Sequence, residues 1–250
     1  MAKGDIISVT AQDVGLCLSL LFVVLAHTST QGAVIDRCSW KCLEYAQLWP
    51  GSFCITFKKN VCRIPEGVNT WTIHGLWPDG VFGCNKTWHL EQQDISDLES
   101  DLLRYWPTMI KRPPLQFWRK EWSRHGTCAT CLDSLSTPHK FFSLALQLRK
   151  TLSIDQAFAG AGIKPSCNVS YELKDIHSAL SHLGADVSLQ CYNQKGREIL
   201  MQIKVSVHKD FTVGCERWAK DTEISYFHPC KHGMSIYLFP LSSHPDNPCP

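Results

Sequence analysis

The sequence has little net charge. Its 250 residues carry 25 Lys and Arg against 23 Asp and Glu, a net of +2 at pH 7. That balance excludes a histone-like or repressor-like binder that works through bulk positive charge. Charged residues are only 19% of the chain and hydrophobic ones 44%, with nine Trp and eleven Phe. Such a composition buries enough apolar surface to offset the entropy of ordering, which excludes a disordered chain. Long apolar runs are missing too. Val14 to Ala26 (VGLCLSLLFVVLA) is 13 residues without charge, short of a comfortable bilayer span. There is no internal repeat, low-complexity tract or linker, so the chain reads as one domain of ample length for a core.

Cysteine, by contrast, is abundant, with 13 residues. In a reducing compartment this reads as zinc sites or buried thiols, and in a secreted protein as a disulfide framework. The N-terminus favours secretion. The apolar run is followed by small and polar residues (HTSTQGA), the layout of a signal peptide over residues 1–32 cleaved between Ala26 and Gly32. A signal anchor is the alternative, because the leading segment is long and Lys3 is opposed by Asp5 and Asp13. Removing residues 1–32 takes away Cys17, Lys3, Asp5, Asp13 and His27. Twelve Cys and ten His remain, with a net charge of +3 that full His protonation would raise to +13. A polyanion would therefore be attracted in an acidic vesicle. Two N-x-S/T sequons, at Asn85 and Asn168, fit a secreted glycoprotein.

Periodicity predicts a helix over 94–106 from Ile95, Leu98, Leu102, Leu103 and Trp106, stopped by Pro107. A second helix opens at Thr137-Pro138, with Thr as cap and Pro at the first helical position. Its stripe is Phe141, Phe142, Ala145, Leu148 and Leu152. A third runs from about Glu172 to Gly184. The period then becomes two. Ile199, Met201, Ile203, Val205 and Val207 alternate with residues that are polar except for Leu200, which predicts a half-buried strand. Further strands are expected at 53–58, 187–192 and 235–239. The tail from about 241 reads as irregular. Mixed elements without βαβ alternation indicate α+β for residues 33–250.

Two segments concentrate chemistry. The first is Trp71-Thr72-Ile73-His74-Gly75-Leu76-Trp77-Pro78-Asp79-Gly80. The second is Phe117-Trp118-Arg119-Lys120-Glu121-Trp122-Ser123-Arg124-His125-Gly126-Thr127-Cys128. On a helix Glu121, Arg124 and His125 share one face. Gly126 is expected to end that helix, leaving His125 near a C-terminus that favours imidazolium. Glu121 would raise the His125 pKa and Arg124 would lower it. Alone, each segment also has a plainer reading, a surface helix laced with ion pairs and a core histidine. Together, two His with a carboxylate and a cation are a minimal set for phosphodiester cleavage without metal. One His takes the proton of the attacking hydroxyl, the other protonates the leaving oxygen, and the cation offsets charge on phosphorus.

Both segments closely resemble the two active-site motifs of the ribonuclease T2 family of secreted acid endoribonucleases. Weaker echoes lie at Gln47-Leu48-Trp49-Pro50, Gly83-Cys84-Asn85, Tyr105-Trp106-Pro107 and Gly162-Ile163-Lys164-Pro165-Ser166. The similarity spans roughly 40–240. The resemblance implies a disulfide-braced α+β domain with a central antiparallel sheet, acting on single-stranded RNA. Cleavage would run through a 2′,3′-cyclic phosphate, with no metal or other cofactor. His74 matches the general acid and His125 the general base, with Glu121 and Arg124 supporting charge at the phosphate. Trp77, Asp79 and Phe117 match base-pocket positions, with core aromatics and a turn residue as the alternatives. Two departures stand out. Arg124 replaces the usual Lys, and Lys120 stands where His is common at a phosphate-binding position.

The resemblance also implies the bridges Cys54–Cys62, Cys84–Cys128 and Cys191–Cys230. A fourth family bridge would join Cys215 to a residue near Ser206, but no Cys is there. Cys38, Cys42, Cys131, Cys167, Cys215 and Cys249 are left with 15 pairings. The leading expectation is a secreted or endolysosomal endoribonuclease, monomeric and free of membrane after signal removal. A ribonuclease-like binding or signalling protein is the first alternative, prompted by Lys120 and the extra cysteines. A thiol–disulfide or zinc protein built on Cys128-Ala129-Thr130-Cys131 is the second.

Overall fold

A computed structural model describes residues 38–184, 187–216 and 227–250; the expected signal segment and Cys17 lie outside them. In chain order the elements are strand β1 (Leu43–Leu48), a short α1 (Pro50–Phe53), β2 (Thr72–Pro78), α2 (Glu99–Tyr105), α3 (Pro114–Glu121), α4 (Thr127–Ala129), α5 (Pro138–Thr151) and α6 (Ile154–Gly160). There follow β3 (Ser170–Tyr171), α7 (Leu173–Leu180), β4 (Val187–Gln194), β5 (Arg197–Val207), β6 (His228–Pro229) and β7 (Ile236–Tyr237). All described residues fall within one compact unit, 36–250.

The sheet runs β2-β1-β5-β4-β6 with antiparallel neighbours. The central path is antiparallel as expected, and β7 adds one parallel pairing to β5. Alternation along the strands sorts residues onto two faces. Leu43, Tyr45, Ile73, Leu76, Ile203, Val205 and Val207 join the main core, which also holds Trp71, Trp106, Phe141, Phe142 and Leu148. Thr137 caps α5 as predicted, its Oγ1 accepting from the Lys140 N–H at 3.3 Å. Gly184 closes the turn after α7 with φ 106°, a conformation that favours glycine.

Several expectations fail for identifiable reasons. Residues 53–58 form no strand, because Pro50 opens a helical turn that passes into a 3₁₀ turn at Cys54–Thr56. Leu103 leaves the α2 stripe at 43% exposure. That region begins as a 3₁₀ segment (Gln92–Leu98), which breaks the α-helical phase. β5 is not half-buried. Gln202, Lys204 and Ser206, on the polar face, are as buried as their apolar neighbours. Internal pairing makes that tolerable: Lys204 Nζ meets Glu44 Oε1 at 2.8 Å.

Twelve cysteines form six bridges. The three expected pairs are present, joined by Cys38–Cys131, Cys42–Cys215 and Cys167–Cys249. Cys128 and Cys131 belong to different bridges, so they are neither a redox pair nor zinc ligands.

Candidate active site

The first of the two motif segments lies on β2. Ala46 of β1 pairs with Gly75 and Gln47 pairs with Ile73, so His74 is the extra residue of a β-bulge. A bulge re-aims the side chain it carries. Here it turns the His74 ring to the polar face of the sheet, where Nδ1 lies 2.6 Å from Gln202 Oε1. An amide oxygen only accepts, so His74 Nδ1 is the donor, which leaves Nε2 as the nitrogen for chemistry. Trp106 Nε1 donates to the His74 carbonyl at 3.2 Å and holds the bulged backbone.

The second segment is helical but not uniformly so. α3 passes into a π turn over Trp122–Gly126 and then into α4. Gly126 therefore does not end the helix, and His125 sits in its interior rather than at a C-terminus. The glycine serves a close approach instead. A Cβ there would lie 2.3 Å from a Trp122 ring carbon. The π turn widens the helix locally where Arg124 and His125 are presented.

Trp77 lies between the two histidines. Its ring centroid is 5.1 Å from that of His74 and 5.6 Å from that of His125. Its Nε1 donates to Glu121 Oε2 at 3.5 Å, and Lys204 Nζ lies 5.5 Å from its centroid. Gly75 makes room for it, since a Cβ at that position would lie 2.0 Å from Trp77 Nε1. The segments are also tied together outside the rings. The Gly83 N–H donates to the Arg124 carbonyl at 2.7 Å, and Cys84 is bridged to Cys128.

The electrostatics of His125 differ from the sequence expectation. It is 5% exposed, and its pKa is lowered to about 3, first by burial and then by Arg124, His74 and Lys120. Neither a helix terminus nor Glu121 reverses this. Its Nδ1 has no hydrogen-bond partner among the described residues. The imidazole is thus held unprotonated well below the usual histidine range.

Lys120 and Glu121 line a cavity of ≈ 220 Å³ with His74, Phe117, Phe53, Phe57, Met109 and Arg112. Phe117 is half-buried and packs on the main core as well. Asp79 lies in the turn after β2, its N–H bonded to the Cys42 carbonyl at 2.9 Å. It does not line this cavity, and neither does Trp77. The three base-pocket candidates are therefore split. Gln202 was absent from the sequence-derived site. Its only signal was a polar residue inside an alternating strand.

The Ribonuclease T2 family pattern matches residues 40–215. Ribonuclease T2 of Danio rerio is 33% identical over 223 residues, covering 83% of this chain and 90% of its own length. The crystal structure of human RNase T2 superposes with a TM-score of 0.69 at 32% identity, covering 80% of this chain and 99% of that one. A point mutant of RNase MC1 in complex with 5′-UMP gives 0.62 at 27% identity, covering 70% and 91%. With both motifs brought to one site on a shared fold, the chain belongs to the Ribonuclease T2 family of endoribonucleases.

Proposed function

We propose that this protein cleaves single-stranded RNA by transesterification through a 2′,3′-cyclic phosphate, acting as a monomer in the secretory or endolysosomal lumen. The observation that carries the reading is the unequal pair of histidines on either side of Trp77. Neutral His125 accepts the proton of the ribose 2′-hydroxyl. The 2′ oxygen attacks phosphorus, and the bond to the 5′ oxygen of the next nucleotide breaks. His74 Nε2 gives that oxygen a proton, while Nδ1 stays bound to Gln202. Arg124, Lys120 and Glu121 support charge at the phosphate. Water then opens the cyclic ester to a 3′-phosphate with the two histidines in exchanged roles.

The aromatic cavity beside Lys120 suits a base, which stacks on Phe117. The nucleotide bound by RNase MC1 supports a ligand of this class. Exposed Asn85 and Asn168, with six disulfides, support an oxidising lumen. Among the described residues, no helix is long and apolar enough to cross a membrane.

The test is incubation of the folded chain with single-stranded RNA and EDTA from pH 4 to 8. The expected result is EDTA-insensitive cleavage, strongest below neutrality, with 2′,3′-cyclic phosphate ends. No cleavage by a folded sample overturns the reading.

A further inference from the structure

Lys120 and five further cations lie on the segments that wall the aromatic cavity. Lys58 and Lys59 sit on the loop closed by Cys54–Cys62, and Arg63 follows it. Lys111 and Arg112 lie on the facing segment, and Lys120 on α3. The topology makes them neighbours. Cys62 and Ile110 form an antiparallel bridge, and the Arg63 N–H donates to the Met109 carbonyl at 2.7 Å. Arg112 and Lys120 line the cavity itself, whose apolar walls include Phe53, Phe57 and Met109.

Two features separate this cluster from an ordinary solvated surface. First, residues 53–65 and 107–120 contain no Asp or Glu, and the bordering carboxylates are Glu66 and the cavity residue Glu121. Second, none of the six enters an ion pair among the described residues, whereas Arg119, Lys150, Lys174, Lys204 and Lys231 each face a carboxylate. Lys58, Lys59, Arg63, Lys111 and Lys120 are exposed. Like charges without carboxylate partners, held together on adjoining segments, repel one another in the free protein. A polyanion relieves that repulsion and releases its own counterions.

We propose that this surface is a binding track for an extended single-stranded polynucleotide. The cavity takes one base, and the cations take successive phosphates leading away from the scissile bond. The occupant follows from continuity. The cavity shares His74, Lys120 and Glu121 with the reacting centre, so a strand threaded through that centre passes onto the cations. Aromatic walls beside a cationic rim are the pairing that single strands need, rings for bases and charge for phosphates. The track rests on the ribonuclease reading of the site and extends it from one linkage to a chain.

The test compares the wild type with the quadruple variant Lys58→Ala, Lys59→Ala, Arg63→Ala and Lys111→Ala. All four residues are exposed, and none lines the cavity that holds His74 and Glu121. The probe is a 2′-deoxy strand of about ten nucleotides, which cannot be cleaved by this route. We expect the slope of log affinity against log salt to fall by about 3 in the variant, roughly 0.7 per cation removed. We expect at least about tenfold weaker binding of that strand near 0.1 M salt, with dinucleotide cleavage unchanged. Equal slope and affinity in the two proteins overturn the track, even when the wild type cleaves RNA. A wild type that cleaves nothing defeats the site reading instead, and the binding comparison still stands on its own. A sulfated polysaccharide of matched charge that binds as tightly as the strand also overturns the proposal, because the surface then reads charge alone.

Discussion

The two histidines of this site are supported in opposite ways. His74 is half-buried on a strand and is held by a hydrogen bond to Gln202. His125 is buried in a helix, and its Nδ1 has no partner among the described residues. Each is presented by a backbone irregularity, a β-bulge in one case and a π turn in the other. A hydrogen bond from Nδ1 tolerates a charged ring and directs the second proton of that ring to Nε2. Burial beside cations keeps a ring unprotonated at acid pH. In the proposed mechanism these different surroundings assign one of two identical side chains as the acid and the other as the base.

The comparison breaks most completely when either histidine is removed. His74→Ala and His125→Ala are each expected to lower kcat on single-stranded RNA by about 10³, with circular dichroism unchanged. Next is the wedge between them. Gly75→Ala drives a methyl group into Trp77, and displacing that ring is expected to cost about 1–3 kcal/mol of stability. Thermal unfolding and cleavage rate should both fall, whereas a change in neither would mean that Trp77 moves aside freely.

Gln202→Leu separates the two modes of support. It removes the His74 partner and leaves His125 untouched, so kcat should fall about tenfold while KM holds. Gln202→Asn, which keeps an amide, should recover part of that loss. His125→Asn probes burial through stability. The folded-state pKa of His125 is about 3, below the ordinary 6.5, so the unfolded chain takes up the proton first as pH falls. Stability is then lost progressively from about pH 6.5 toward pH 3, by at most about 1.4 kcal/mol per pH unit. Chemical denaturation near neutrality and near pH 4 should show the wild type losing more stability than His125→Asn. The smallest effect is expected from Lys120→His, which restores the commoner family residue. Activity at mildly acid pH should hold or rise slightly, and a strong loss would give Lys120 its own role.

Much of this site was legible in the sequence. His74, Glu121 and His125 stand in two long motifs, and the Thr137-Pro138 cap and the α7 stripe are local signals. What was not legible depends on pairing across the chain. Gln202 lies 128 residues from His74 and looks like any polar residue of an alternating strand. The bulge appears only once β1 and β2 are in register. Gly126 resembled a helix stop, because its close approach to Trp122 exists only in the folded helix. Cys42 met Cys215 for the same reason. Strand β1 lies beside β5, which brings distant cysteines together where no Cys stands near Ser206. Burial of Lys204 and Glu44 likewise reflects a pair formed between strands, not the hydropathy of either one.

The most direct measurement is the protonation state of His125 by ¹⁵N imidazole NMR in the free protein, titrated from neutrality to about pH 4. The account predicts a neutral ring throughout, as burial and the charges of Arg124 and Lys120 require. A ring that becomes cationic near pH 6 would contradict the assignment of His125 as the base held ready by burial.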